Sequence, residues 1–357
     1  MQELLGRISA LDPQASLGLR VIACFDELII GNVNTRALLS AAASLSGCNA
    51  GYQSDLPPRS LRVSPRGEIV APDDGPPTPG SCSAITAEGL TVWIERDGEP
   101  HANDAIVLER LALAVRIRLG GGRREIDGRR DLGLLLDPTV PTETRRLAAA
   151  RLNLVSTARY RVIAAPLFAV WDEHPSGAED VVATPYGSIH ALVVPHDHAP
   201  VPARPIGTGP ATDVDHLHRS FRTAVVALRL CDPEVAPSVL ADDYGGLVGL
   251  LADLPLDSDL PDVDSLDAIM SHPWGSATVD ALVRTSSVRQ AARNAGVHHS
   301  TLQTRLDTII AELGYDPLDN GIGRTRFGLA SLVWRLRNSR VLDLPAPTTP
   351  SSPTPLR

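Results

Sequence analysis

The sequence contains no lysine: all 33 of its basic residues are arginine. Any contact with phosphate therefore falls to guanidinium groups, backbone amides or small polar side chains. Aromatic residues are scarce, at 4%, so the cores must be built from Leu, Val, Ile and Ala. Only Cys24, Cys48, Cys82 and Cys231 carry thiols, and no two form a Cys-x-x-Cys pair. That spacing argues against a structural zinc site or a dense disulfide framework and predicts reduced, buried thiols. No apolar run approaches the roughly 18 residues of a membrane span. The opening stretch MQELLGRISALDP lacks the apolar core of a secretion signal. A cytoplasmic protein with no membrane partner is expected. No Gly-x-Ser-x-Gly or other nucleophile motif occurs, so no enzymatic activity is expected either.

With 357 residues, the chain is long enough for two or three domains with real cores. Its net charge of −9 excludes a surface that is basic throughout, so any contact with nucleic acid must be confined to a local patch. The C-terminal region supplies one. From Ser271 to Arg340 there are nine arginines against five acidic residues, a local balance of +4.

Along the chain, residues 3–46 read as helices. Leu4, Leu5, Ile8 and Leu11 form one apolar stripe, and Val21, Ile22, Phe25, Leu28 and Ile29 belong to a second. The helical pattern stops at Gly47. Strand-like pieces follow near Leu61, Ile69 and Val92, separated by the loop PDDGPPTPGS, and a helix is predicted from about Asn103 to Leu119. This is an α+β pattern, assigned to a first domain at 1–122. Residues 123–150 are charged and helical, broken near Pro138 and Pro141, and read as a connector. A second α+β domain is expected at 151–254, with a strand pair around Gly187 and a helix from about Asp213 to Leu230. The acidic, proline-containing stretch 255–270 reads as a linker and hinge. Residues 271–340 form an all-α domain, and 341–357 a disordered tail.

The most informative segment is TSSVRQAARNAGVHHSTLQTRLDTIIAELG, from Thr285 to Gly314. Ala291 and Ala292 permit close helix approach. Gly296 suits a turn that requires positive φ. The second helix carries Leu302, Leu306, Ile309 and Leu313 at helical spacing, with its other face polar. His298, His299, Ser300, Thr301, Gln303 and Thr304 offer groups that can bond base edges or phosphates. Arg289, Arg293 and Arg305 can add charge-assisted phosphate contacts. A plain helical hairpin with a solvated face is the alternative on pattern alone.

The stretch from Val288 to Arg337 resembles the C-terminal helix-turn-helix of PucR/CdaR-like bacterial transcription regulators. The resemblance rests on Ala292, Val297, His298, Thr301, Leu302, Arg305, Leu306, Leu313, Gly314 and Leu329. Gly296, Ser300 and Thr304 depart from that family's usual pattern. The resemblance implies a major-groove reader of double-stranded DNA acting as a homodimer. More weakly, it implies a GAF-like first domain and a ferredoxin-like, GGDEF-like middle domain. No GGDEF or GGEEF sequence occurs, so that middle domain is not expected to be a cyclase.

Other candidates are weaker. His190, His196, His198, His216 and His218 cluster in sequence, but His216 and His218 alternate on a helix and no cysteine lies nearby. No metal site is expected. Gly120-Gly121-Gly122 ends a helix and is not followed by Lys-Ser/Thr, so it is not a phosphate loop, and no cofactor is expected. The sequence therefore points to a DNA-binding transcription regulator whose N-terminal domains sense a small-molecule effector or mediate assembly. The alternative is a ligand-sensing or interaction module whose C-terminal helices bind a protein.

Overall fold

The computed structural model describes residues 13–31, 33–55, 58–70, 83–87, 89–96, 98–101, 103–120, 131–173, 176–232, 235–255, 257–285 and 287–343. The expectations placed on residues 1–12, the 72–81 loop, Cys82 and the tail beyond 343 lie outside the described residues. The architecture is α+β, and the chain divides into two compact units. One is formed by the chain up to Gly245 and again from Val341 onward, the other by Gly246–Arg340. No helix among the described residues is long and apolar enough to cross a membrane.

The first unit opens with α1 (Pro13–Ile30) and α2 (Thr35–Ser46). The Asn34 side chain caps α2 by accepting the Ala37 N–H at 2.9 Å. Next come β1 (Asn49–Asp55), β2 (Pro58–Val63), β3 (Ser83–Ala87), β4 (Leu90–Glu95) and α3 (Asp104–Gly120). The strands form an antiparallel sheet in the order β2-β1-β4-β3. Phe25, Leu28, Leu38, Leu39, Leu111 and Val115 belong to the core beside this sheet.

Two local readings of this region change. The stretch around Ile69 makes a single bridge to Val63 instead of a strand. The central strand β1, with the unpromising sequence NAGYQSD, carried no strand signal. It exists because its neighbours demand it. A Cβ on Gly51 would sit 2.3 Å from the Trp93 ring, so glycine leaves the space that the large indole of β4 fills. Within α3, Leu113 and Ile117 are exposed.

The same unit continues with α4 (Asp131–Leu136) and α5 (Thr142–Arg151). These lie in the stretch expected to be a connector, yet they form a packed hairpin, with Leu132, Leu135, Leu136, Ala148 and Ala149 buried. The proline-bearing break at 137–141 is the turn of that hairpin. The second sheet has the order β11-β10-β5-β8-β7, built from β5 (Tyr160–Ala165), β7 (Ala178–Thr184), β8 (Gly187–Pro195), β10 (Ile206–Thr208) and β11 (Ser238–Leu240). Two short strands, β6 (Val170–Trp171) and β9 (Ala203–Arg204), pair with each other. Helix α6 (Leu217–Arg229) crosses the sheet, burying Leu217, Phe221, Ala224, Val225 and Leu228. It sits unusually close to β10: a Cβ on Gly207 would lie 2.1 Å from the Leu228 backbone nitrogen and 2.2 Å from the Ala224 carbonyl oxygen. Residues 1–122 and 151–254, expected as separate domains, thus contribute almost wholly to one unit, in which α2 contacts β7 and β8 as well as the first sheet.

The histidines are spread through this unit. His190 is buried and pairs with Glu179 at 2.7 Å, His216 lies 2.7 Å from Asp213, and His196 and His198 are exposed in the loop after β8. Cys24 and Cys231 are buried, and Cys48 is half-buried. Burial, reinforced by the nearby Glu27, pushes the Cys24 thiol up to about 12, which keeps it unreactive.

The second unit is entirely helical: α7 (Gly246–Asp253), α8 (Pro261–Met270), α9 (Gly275–Val283), α10 (Val288–Asn294), α11 (His299–Leu313) and α12 (Gly321–Arg337). The expected hinge at 255–270 is corrected here, because most of it is α8. Val263, Leu266 and Ile269 are buried, and two of the five aspartates that suggested a solvated linker have partners on α12. Asp262 takes a two-pronged bond from Arg326 at 2.7 and 3.0 Å, and Asp267 accepts the Trp334 indole N–H. Acidic residues with proline at the first turn also describe a helix start, and apolar spacing decides between the two.

Candidate nucleic-acid interface

Helices α10 and α11 form the helix pair expected from the sequence. The Ser287 hydroxyl caps α10 by accepting the Gln290 N–H at 3.3 Å. At its other end the Gly296 N–H donates to the Arg293 carbonyl and the Val297 N–H to the Ala292 carbonyl, at 3.2 and 3.0 Å. These paired bonds close the helix through a left-handed residue, and Gly296 has φ +65°. Ala291 and Ala292 are buried, which lets the two helices approach closely, while Val297 is half-buried between them. In α11, Leu302, Leu306, Ile309 and Leu313 face the core, as their spacing required.

The opposite side of α11 is open. His299, Ser300, Thr301, Gln303, Thr304 and Asp307 are all exposed. At about 100° per residue, Ser300, Gln303, Thr304 and Asp307 share one face, with His299 and Thr301 on its flanks. Some of these groups already have local partners. The Gln303 amide donates to Asp307 at 3.2 Å, and the Thr304 hydroxyl donates to the Ser300 carbonyl at 3.1 Å. Both are exposed bonds within one helix, replaceable by a ligand at small cost.

His298 plays a part that its sequence position only hinted at. It is the N-cap of α11: its Nδ1 accepts the Ser300 N–H at 3.3 Å and lies 2.8 Å from the Ser300 hydroxyl. One ring nitrogen is thereby committed to the helix start, where four N–H groups would otherwise lack partners.

The arginines divide. Arg284, Arg289 and Arg293 are exposed, and among the described residues none of the three is paired with a carboxylate. Arg305 is different. It is half-buried, donates from Nη1 to the Thr278 hydroxyl at 3.1 Å, and lies 5.4 Å from the centre of the Trp274 ring. Thr278 is fully buried, and Trp274 is stacked on His272 at 4.7 Å. Arg305 sits about 60° from Leu302 around the helix, at the margin of the core stripe. That places it against α9 and away from the polar ridge. Its expected phosphate contact is therefore replaced by a packing and cation–π role. Trp274 and Thr278 went unremarked in the sequence because nothing in their local pattern announces a partner 27–31 residues away.

Arg326 is occupied with Asp262 and stands 3.9 Å from the centre of the Tyr315 ring. The local excess of arginine thus has two uses. Part of it holds α12 to α8, and the part around α10 is free for a ligand.

The chain matches no known protein family, and no characterised protein matches it. Among solved structures it is similar to a regulator of polyketide synthase expression from Bifidobacterium adolescentis, at 16% identity over 59% of this chain and 98% of that one, with a TM-score of 0.27. An overlap of that quality carries no argument about fold or function.

Proposed function

We propose that this chain is a sequence-specific, double-stranded-DNA-binding transcription regulator that acts without catalysis, in the cytoplasm and as a homodimer. In this reading the first unit holds GAF-like and GGDEF-like elements that respond to a small-molecule effector. The observation that carries the proposal is the combination on α10 and α11. A short helix ends in a tight left-handed turn. The next helix starts on a row of exposed small polar side chains, and three unpaired arginines lie on or just before the first helix. A helix of this kind can lay its N-terminal residues along base edges while the arginines and free N–H groups meet phosphate. Two copies would present two such helices about 34 Å apart, one helical turn of DNA.

A protein-binding surface is the second reading, favoured by one feature: Asp307 on the ridge repels phosphate. Binding of genomic duplex fragments, measured across a salt series, separates the two. DNA binding through Arg289 and Arg293 predicts that log affinity falls linearly with log salt. Each Arg→Ala change should lower that slope by about 0.9 per lost phosphate contact. Gln303→Ala should narrow the gap between specific and random fragments without changing the slope. Retention of no duplex at any salt concentration would overturn the proposal in favour of a protein partner.

A further inference from the structure

The polar ridge of α11 has a hydrogen-bonding sense, and bonds inside the helix set it. The Thr304 hydroxyl lies 3.1 Å from the Ser300 carbonyl oxygen. A carbonyl only accepts, so the Thr304 proton is spent inward and its lone pairs are left for solvent. The Gln303 amide nitrogen lies 3.2 Å from the Asp307 carboxylate. A carboxylate also only accepts, which fixes the amide with its NH2 toward Asp307 and leaves its oxygen and one N–H unengaged. Ser300 follows from His298. Nδ1 of that ring accepts the Ser300 backbone N–H at 3.3 Å, and a backbone N–H can only donate, so Nδ1 carries no proton. The Ser300 hydroxyl, 2.8 Å from the same nitrogen, therefore donates to it. Asp307 itself has no proton to give. All four side chains are exposed. Outward, the ridge is a row of acceptors broken by a single amide N–H.

Bases differ in what they show in the major groove. Adenine and cytosine present an exocyclic amino donor there, whereas guanine and thymine present carbonyl oxygens and no donor. An amino group can bond this ridge and leave every internal bond in place. To meet a carbonyl, Ser300 or Thr304 must first withdraw its hydrogen from its present partner, and Asp307 has none to withdraw; only the second Gln303 N–H stands ready. Each internal bond is weak enough to be replaced, so the effect is a bias at each position, roughly 2–10-fold for one net hydrogen bond.

We propose that α11 reads amino groups: on the strand it faces, it selects adenine or cytosine over guanine and thymine, with Asp307 accepting from one such amino group. This rests on the proposed DNA-binding role and deepens it. It also gives Asp307 a use, since the charge that repels phosphate suits an amino donor on the groove floor.

The test begins with duplexes enriched from a random pool by the full chain. Positions sensitive to Ser300→Ala, Gln303→Ala or Asp307→Asn should carry adenine or cytosine on one strand. Replacing such an adenine by unsubstituted purine, or such a cytosine by 2-pyrimidinone, removes the amino group and should weaken binding by about fivefold, the scale of one hydrogen bond, relative to the same swap elsewhere in the duplex. Replacement by 7-deazaadenine, which loses N7 and keeps the amino group, should leave binding unchanged. Asp307→Asn should raise affinity for every duplex and at the same time reduce the preference for adenine or cytosine at its position; a residue that only repels phosphate would leave that preference intact. Guanine or thymine at the sensitive positions, no sensitive position, an equal loss with 7-deazaadenine, or an unaltered preference in Asp307→Asn would overturn the proposal while leaving DNA binding in place. Retention of no duplex would overturn the DNA-binding reading and this one with it.

Discussion

Replacing Gly207 by alanine puts a methyl carbon where two backbones already meet. Its Cβ would lie 2.1 Å from the Leu228 nitrogen, 2.2 Å from the Ala224 carbonyl oxygen and 2.7 Å from the Leu228 Cα. Ordinary carbon contacts need roughly 3.5–4.0 Å, so α6 must retreat from β10 by more than an ångström. The atoms in the way are backbone, which no rotamer change can move. Retreat loosens Ala224 and Leu228, both now fully buried. Overpacking of this kind costs about 1–3 kcal/mol, occasionally more, and a clash with backbone places Gly207→Ala at the upper end, near 3 kcal/mol. Gly296→Ala is the internal control. Gly296 has φ +65° but nothing within 4 Å of its would-be Cβ, so its cost is only that of a left-handed alanine, about 1 kcal/mol. Urea denaturation of both variants, with unfolding free energies obtained by linear extrapolation, compares them directly. If Gly207→Ala costs no more than Gly296→Ala, the close approach of α6 to β10 is wrong.

Three further predictions follow from the same structure. Arg305→Met should destabilise the second unit by about 1–2 kcal/mol, since it removes the Thr278 bond and the Trp274 contact, while leaving the salt slope of DNA affinity unchanged; a reduced slope would place Arg305 on phosphate after all. Arg96 bonds Asp104 at 2.6 and 2.8 Å and the Ser46 carbonyl at 2.7 Å. Burial alone would raise the Asp104 carboxyl, but the Arg96 and His101 hydrogen bonds outweigh it and hold it below its ordinary value. Arg96→Met strands that buried carboxylate and should cost about 3–5 kcal/mol near neutral pH, a penalty that shrinks as acid protonates Asp104; a pH-independent cost would refute the charge argument. Burial pushes the Asp180 carboxyl up to about 7, against the lowering effect of the Val181 N–H, Arg36, Asn34 and Arg118. Its folded value stands above its unfolded one, so the stability it contributes is complete below about pH 4 and is lost as pH rises through 7, up to about 4 kcal/mol. Asp180→Asn should flatten that decline, and denaturation midpoints read from pH 5 to 8 would show it.

What could be read from the sequence was whatever is periodic or punctuated. Leu302, Leu306, Ile309 and Leu313 announce a buried stripe, Gly296 announces a left-handed turn, and the exposed polar ridge follows by geometry from the stripe. The hairpin around Gly187 and the helix ending at Gly47 were legible for the same reason. Three things were not. Strand β1 depends on pairing with β2 and β4, and its own residues carry no alternation. The acidic stretch at 255–270 has the composition of a linker, and only Arg326 and Trp334 of α12 reveal Asp262 and Asp267 as helix-to-helix partners. Arg305 has the chemistry of a phosphate ligand, and what turns it inward is the buried hydroxyl of Thr278, 27 residues away.

The sequence by itself determined the helix pair α10–α11 and the face that α11 turns outward, because both follow from spacing and punctuation along a short stretch of chain. Tertiary structure alone decided which arginines remain free, where the 341–343 segment returns, and that the expected first and middle domains contribute to one compact unit. Those outcomes turn on which distant side chains compete for the same partner, and separation along the chain says nothing about distance in space.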